Sequence, residues 1–253
     1  MFRAMESVDV KGRTAVITGA SRGLGAALAL DFASRGMRLG LCARGAPALA
    51  PGEDVLSERV DVRDERAVDA FALAVERRFG AIDLWINNAG VLDPIVPLRD
   101  LALAEFREHI DVNLFGVFLG TRAYVRHLRA RGGEGVLVNV SSGAAWHGYA
   151  GWTAYCAGKA AVDRLTECVA LEEESNGLRA YAVAPGVIDT DMQARIRECS
   201  PDVFPELERF LEMKRNESFN TPAFVARHLL AIAFDPRRRP TEVTLRLPEE
   251  KRR

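Results

Sequence analysis

Thr14-Ala15-Val16-Ile17-Thr18-Gly19-Ala20-Ser21-Arg22-Gly23-Leu24-Gly25 is the stretch on which the fold turns. Its first five residues are apolar or β-branched, the composition of a strand buried on both faces. Glycines at 19, 23 and 25 follow at once, and Ala26 to Ala33 then reads as a helix. In a strand–glycine turn–helix unit, backbone amides can approach a pyrophosphate, and the helix N-terminus turns free N–H groups and positive dipole charge toward it. The spacing is Gly-x-x-x-Gly-x-Gly, not the commoner Gly-x-Gly-x-x-Gly. A chance glycine cluster in a loop is the competing reading, and the buried-type strand before it argues against chance.

Outward from this unit, strand-like and helix-like stretches alternate. Arg38–Ala43 reads as a second strand, and a Pro/Gly/Ala-rich loop from Gly45 to Gly52 leads to a short third one ending near Val60. Asp64-Glu65-Arg66 opens a helix to about Phe79. Ile82–Ile86 is a fourth strand, followed by a long helical stretch from about Leu103 to Arg131. Val136–Val140 is the fifth strand. The next helix extends to about Asn176, where Gly177 is placed to stop it. Leu178–Ala184 and Glu242–Arg246 complete the set. This alternation predicts an α/β fold of Rossmann type: a doubly wound, seven-stranded, mostly parallel sheet with helices on both faces, in one domain over 1–253.

Composition narrows the function classes. A chain of 253 residues, nearly half of them apolar, is long enough for a large core. A net charge of −1 offers no bulk basic surface for nucleic acid, and no apolar run is long enough to cross a bilayer. Met1 to Val8 lack the continuous apolar stretch of a secretion signal, so a cytoplasmic location is expected. Cys42, Cys156, Cys168 and Cys199 form neither a Cys-x-x-Cys pair nor a His/Cys cluster at zinc spacing, which predicts free thiols and no metal site. Arg237-Arg238-Arg239 and Lys251-Arg252-Arg253 read as a solvated turn and tail.

Chemistry enters with Tyr155 and Lys159, four residues apart and so on one helix face, with Ser142 thirteen residues before the tyrosine. A phenol titrates near about 10 and is a poor acid–base catalyst at neutral pH by itself. A nearby ammonium favours the phenolate. Tyr124, Tyr149 and Tyr181 are followed four residues later by Leu128, Thr153 and Pro185, so the spacing singles out Tyr155. By itself a Tyr-x-x-x-Lys pair is more often a packed tyrosine beside a surface lysine.

Taken together, these segments resemble the short-chain dehydrogenase/reductase family. Thr18-Gly19-Ala20-Ser21-Arg22-Gly23-Leu24-Gly25 is similar to its Thr-Gly-x-x-x-Gly-x-Gly motif, Asn87-Asn88-Ala89-Gly90 to its Asn-Asn-Ala-Gly motif, and Tyr155 to Lys159 to its active-site pair. The likeness runs from about Lys11 to Thr190. It implies hydride transfer between a nicotinamide and a carbonyl or secondary alcohol, Tyr155 moving the proton and Ser142 holding the substrate oxygen. Lys159 would lower the phenol's pKa and bind the nicotinamide ribose; Asn113 would anchor a water that relays protons to Lys159. Ser141 is the alternative to Ser142. The resemblance also assigns cofactor contacts to Thr18, Gly19, Ser21, Gly23, Leu24, Gly25, Asn88, Ala89 and Gly90. Asp61-Val62 would hold the adenine, although Asp61 also suits a helix N-cap. Pro185, Gly186, Val187, Ile188 and Thr190 would wall and bind the nicotinamide.

Charge bears on which nicotinamide. Ala43 stands where an acid would hold the free ribose 2′-OH of NAD; Arg44 follows it, and Arg22 sits in the glycine loop. Two guanidiniums and no acid point to NADP(H), the competing reading being two solvated surface charges. Trp146, Tyr149 and Trp152 form an aromatic run before Tyr155, and an apolar-rich segment with Met192 follows Asp191. These suit a bulky apolar or aromatic carbonyl substrate under a lid at about 187–220, or else pack on one another or on a second subunit. The family's glycine-rich Asp-Gly-Gly ending is replaced by Leu245-Arg246-Leu247-Pro248-Glu249-Glu250. That departure weighs against the standard tetramer; a homodimer through the helices at 103–131 and 155–176 is favoured over a homotetramer. Two rivals stay open. One is a β-ketoacyl reductase whose carrier or thioester substrate is recruited by Arg126, Arg129 and Arg131; the other is a non-catalytic, NADP-binding redox regulator.

Overall fold

Thr14–Thr18 forms β1 with every residue buried, and its alternate side chains go to opposite faces of the sheet. Ala15 and Ile17 join one core cluster and Val16 the other. The computed structural model describes residues 8–251. The leader reading over Met1 to Ser7, and Arg252 and Arg253 of the basic tail, lie outside the described residues.

After β1 the chain forms α1 (Gly23–Ser34), β2 (Arg38–Ala43), β3 (Val55–Arg59), α2 (Glu65–Phe79) and β4 (Leu84–Asn87). Next come α3 (Leu103–Ile110), a π turn (Asp111–Phe115), α4 (Gly116–Arg131), β5 (Gly135–Val140), α5 (Thr153–Glu173) and β6 (Leu178–Ala184). Then follow α6 (Asp191–Arg197), α7 (Leu207–Arg215), α8 (Pro222–Phe234) and β7 (Thr244–Arg246). The seven strands lie in the order β3-β2-β1-β4-β5-β6-β7, and each pairing is parallel. This is the expected doubly wound sheet.

Two apolar layers hold it. Leu28 and Phe32 of α1 and Val225 and Leu229 of α8 fill one face. Val68, Phe71 and Val75 of α2 and Leu119 and Tyr124 of α4 fill the other. Strand order reverses between β1 and β4, so the chain leaves those two carboxyl ends in opposite directions and a crevice opens there.

Most predicted boundaries hold within two or three residues. Gly177, at φ 82°, ends the helical segment that carries α5. The stretch 103–131 is not one uniform α-helix. The π turn interrupts it at Asn113, widening the backbone ladder at the residue expected to act in proton relay.

The basic cluster expected to recruit a carrier is engaged within the fold. Arg126 reaches Asp69 at 3.5 Å, Arg129 forks onto Glu173 at 2.8 and 2.9 Å, and Arg131 donates to the carbonyls of Ile82 and Glu134. No disulfide joins the four cysteines. Among the described residues no helix is long and apolar enough to cross a membrane, and no cluster of metal-ligating side chains is present.

Candidate active site

The carboxyl ends of β1, β4, β5 and β6 open into a cleft of about 1250 Å³. At the glycine loop the backbone makes an anion site. The N-cap position of α1, Arg22, gives no side-chain acceptor, whereas α2 and α8 are capped by Asp64 and Thr221. The first-turn N–H groups of α1 therefore lack a side-chain partner, and Gly23 and Leu24 line the cleft. Unpaired amides at a helix N-terminus suit a phosphate. Gly19 lets the loop close on the sheet: it sits at φ 69°, and a Cβ there would lie 2.7 Å from Ala89 Cα. The cradle fits a dinucleotide's pyrophosphate.

Two residues expected to touch the cofactor stand behind the wall instead. The Thr18 hydroxyl accepts from the backbone N–H groups of Asn88 and Ala89 at 3.0 and 3.1 Å, tying β1 to the end of β4. Gly25 packs under the Gly19 carbonyl and the Asn88 amide. Neither lines the cleft, because both are spent on closing β1 against its neighbours. Ser21, Asn88, Ala89 and Gly90 do line it, as do Pro185 to Ile188 and Thr190.

At the adenine end, Asp61 and Val62 line the cleft beyond β3. The N-cap of α2 is Asp64, which leaves Asp61 free for another role. Arg63 donates to Asp61 at 2.6 Å and holds its carboxyl below the usual range. Arg44 is exposed at the cleft wall just after Ala43. Arg22 also lines the cleft and reaches Asp191, at the start of α6, at 3.3 Å.

Beyond β5 and on α5 the chemical groups meet. Ser142 follows β5, and its Oγ accepts from Ala144 N at 3.2 Å. Both serines border the cleft, but the Ser141 hydroxyl is committed to Asp163, to which it donates, whereas Ser142 is the one that meets Tyr155. Tyr155 and Lys159, one turn apart, are both buried. Lys159 Nζ donates to the Val140 carbonyl at 2.7 Å and lies 5.7 Å from the Tyr155 ring centroid. Burial brings Lys159 down to about 8. Burial also pushes the Tyr155 phenol up, against the pull of its hydrogen bond with Ser142. The expectation that the ammonium depresses Tyr155 is therefore not met in the free protein. Desolvation dominates, and the ammonium is anchored on a carbonyl of β5.

Asn113 is fully buried in the π turn and lies against Val91 and Gly90. An aromatic cluster roofs this end of the cleft. Trp152 stacks on Phe204 at 4.7 Å, meets Tyr149 at 5.0 Å, and contacts Tyr155 and Phe210 at 5.6 Å. Met192 lines the same space. Trp146 does not: it is 40% exposed outside the cleft. The short turn after Ser142 swings it outward.

Three residues escaped the sequence reading. His109 binds Asn113; Asp163 binds Ser141; Asn220 donates to the carbonyls of Pro185 and Pro248 at 2.9 and 3.1 Å, tying the nicotinamide-side loop to the C-terminal segment. Four-residue spacing placed His109 and Asp163 one turn from Asn113 and Lys159, a signal that was present. Asn220 had none, since its partners are remote in sequence.

The short chain dehydrogenase family model matches residues 13–200. Benzil reductase ((S)-benzoin forming) of Bacillus subtilis (strain 168) is 33% identical over 224 residues, 86% of this chain and 91% of that one. 3beta-hydroxysteroid dehydrogenase 1 of Eggerthella lenta is 35% identical over 214 residues, 81% of each. The crystal structure of the KRED1-Pglu enzyme matches with a TM-score of 0.82 at 31% identity, covering 93% of this chain and 100% of that one. Motifs, sheet order and these likenesses agree: the chain belongs to the short chain dehydrogenase family, oxidoreductases that interconvert carbonyl and alcohol groups with a nicotinamide cofactor.

Proposed function

We propose that the protein is an NADP(H)-dependent ketone reductase acting on a bulky apolar or aromatic carbonyl compound. The observation that carries this reading is the convergence of Ser142, Tyr155 and Lys159 in one cleft with the aromatic side chains of Tyr149, Trp152 and Phe210.

The pyrophosphate belongs at the open N-terminus of α1 with Gly19, Ser21, Gly23 and Leu24, the adenine at Asp61 and Val62, and the 2′-phosphate between Arg22 and Arg44. The nicotinamide end belongs at Asn88, Ala89 and Gly90 and at the loop from Pro185 to Thr190. When bound, the nicotinamide supplies or accepts the hydride. Ser142 holds the substrate oxygen and stabilises negative charge developing on it. Tyr155 gives its proton to that oxygen. Burial keeps the phenol protonated at neutral pH, so Tyr155 enters the reducing direction carrying the proton it must give. Lys159, poised near 8, resupplies the phenol, with Asn113 beside it. The segment 187–220, carrying α6 and α7, acts as a lid that excludes water.

Benzil in the name of one relative and a steroid in that of another agree with the aromatic lining at Tyr149, Trp152 and Phe210. The carrier-protein reading draws less support, because Arg126 and Arg129 are each paired with a carboxylate of the same chain and Arg131 with backbone carbonyls.

The test is consumption of NADPH, then NADH, against aromatic, aliphatic and acyl-thioester ketones. Aromatic ketones with NADPH are expected to lead, and Tyr155→Phe to cost at least about 100-fold in turnover. Arg44→Ala should weaken NADPH by about tenfold relative to NADH, the scale of one charge-assisted hydrogen bond. Preference for NADH would overturn the cofactor assignment. Tight NADPH binding without turnover of any ketone would return weight to a regulator.

A further inference from the structure

His109, in the last turn of α3, is 1% exposed and belongs to no motif. Its Nδ1 lies 2.9 Å from the Asp93 carbonyl oxygen and its Nε2 lies 2.7 Å from Asn113 Nδ2. These contacts fix where the ring carries its hydrogen. A carbonyl only accepts, so Nδ1 is the donor. Val91 sets the Asn113 amide independently: Oδ1 accepts from Val91 N at 3.1 Å while Nδ2 donates to Val91 O at 2.8 Å. The second hydrogen of Nδ2 therefore reaches Nε2, which must offer a lone pair. His109 is a neutral imidazole protonated on Nδ1.

The ring is also next to the chemistry. It stands edge-on to Tyr155, with centroids 6.0 Å apart and planes at 84°. Asn113 in turn reaches toward the lysine. A Cβ on Gly90 would lie 2.8 Å from Asn113 Oδ1 and 3.9 Å from Lys159 Nζ, which places both groups on one glycine.

We propose that His109 is a positioning residue for the reaction, clamping Asn113 between Val91 and the Tyr155–Lys159 pair. A second proton, taken up at Nε2, would set N–H against N–H and release the clamp. Asn113 would then lose its fixed place beside Lys159, and proton resupply to Tyr155 would slow.

The charged and titratable groups facing the ring are Lys159 and Tyr155 on α5 and Asp93 on the loop after β4. Burial is the largest influence and lowers the imidazole's pKa. The hydrogen bond to the Asp93 carbonyl and the Asp93 charge oppose it, and Lys159 reinforces it. Burial thus works in the same sense as the two contacts, which require a neutral ring. This inference rests on the reductase reading for its catalytic consequence, but the clamp is a property of the free protein.

Two experiments separate them. In the free protein, ¹⁵N spectra of the imidazoles report the tautomer of each of the four histidines, and His109→Gln identifies the signal. A neutral Nδ1–H ring titrating below about 6.5 is expected. An Nε2–H ring, or titration at or above the ordinary value, overturns the clamp whatever the enzyme does. In ketone reduction, the glutamine Oε1 can replace Nε2 as an acceptor that does not titrate. His109→Gln should keep kcat within about threefold and lose the acid-side fall of the parent enzyme, whereas His109→Leu should lose about tenfold in kcat with little change in KM. Equal pH profiles for parent and His109→Gln would overturn the positioning role. If the parent turns over no ketone, the reductase reading falls while the spectra still decide the clamp.

Discussion

Burial, more than charge pairing, sets the acidity of the reacting groups. Tyr155 and Lys159 stand four residues apart as the motif requires, yet the ammonium spends its hydrogen bond on Val140 and the phenol is desolvated. In the free protein, the ultraviolet difference between parent and Tyr155→Phe should show phenolate only above about pH 10. A midpoint below that would mean that the ammonium governs the phenol after all. Gly19 makes a second prediction at this scale. Its positive φ and the nearby Ala89 backbone leave no room for a side chain. Gly19→Ala should lower stability by about 1–3 kcal/mol, read as a shift in the urea midpoint, with loss of cofactor binding. The residue types at these positions were legible in the sequence. The balance of desolvation against charge was not, because it depends on how deeply neighbouring elements bury each group.

At the scale of elements, α6 and α7 are held over the cleft by one aromatic cluster. Phe204 is fully buried between Trp152 and Phe210. Phe204→Ala should remove about 3–5 kcal/mol of local stability. Limited proteolysis is then expected to cut first between α6 and α7, and the KM for ketone to rise more than kcat falls. Cutting elsewhere first would argue that the cluster does not tether these helices. The π turn at Asp111–Phe115 illustrates the limit of periodicity. Its residues fit an α-helical pattern well enough that 103–131 reads as one helix. The contact that accompanies the diversion is non-local: Val91, from the loop after β4, takes both ends of the Asn113 side-chain amide.

For the whole molecule, buried histidines couple folding to pH. His109, His127 and His228 all have lowered pKa values, mainly from burial. The unfolded chain therefore takes up protons first. Stability should be full above about pH 6.5 and fall as pH drops through the window between that value and the lower folded ones. Urea unfolding at pH 7.5 and 5.5 should show the loss, and His109→Gln should lessen it. Assembly gives another prediction. Phe118 of α4 and Leu171 of α5 are 40% and 82% exposed on the two helices expected to meet a second copy. Sedimentation should give a homodimer, with Phe118→Glu shifting it toward monomer; a monomeric parent would refute the expectation.

What the sequence determined by itself is local or periodic. The strand–glycine–helix unit, the alternation that makes a parallel sheet, the Tyr155–Lys159 helix face and the stop at Gly177 each follow from neighbours within a turn or two. Tertiary structure decided what depends on remote partners. Thr18 faces Asn88 and not the cleft, Trp146 swings out, Arg129 is claimed by Glu173, and Asn220 joins Pro185 to Pro248. The physical reason is common to all four. A polar or aromatic side chain goes where its hydrogen bonds and contacts are satisfied, and those partners arrive from chain segments that sequence spacing does not relate.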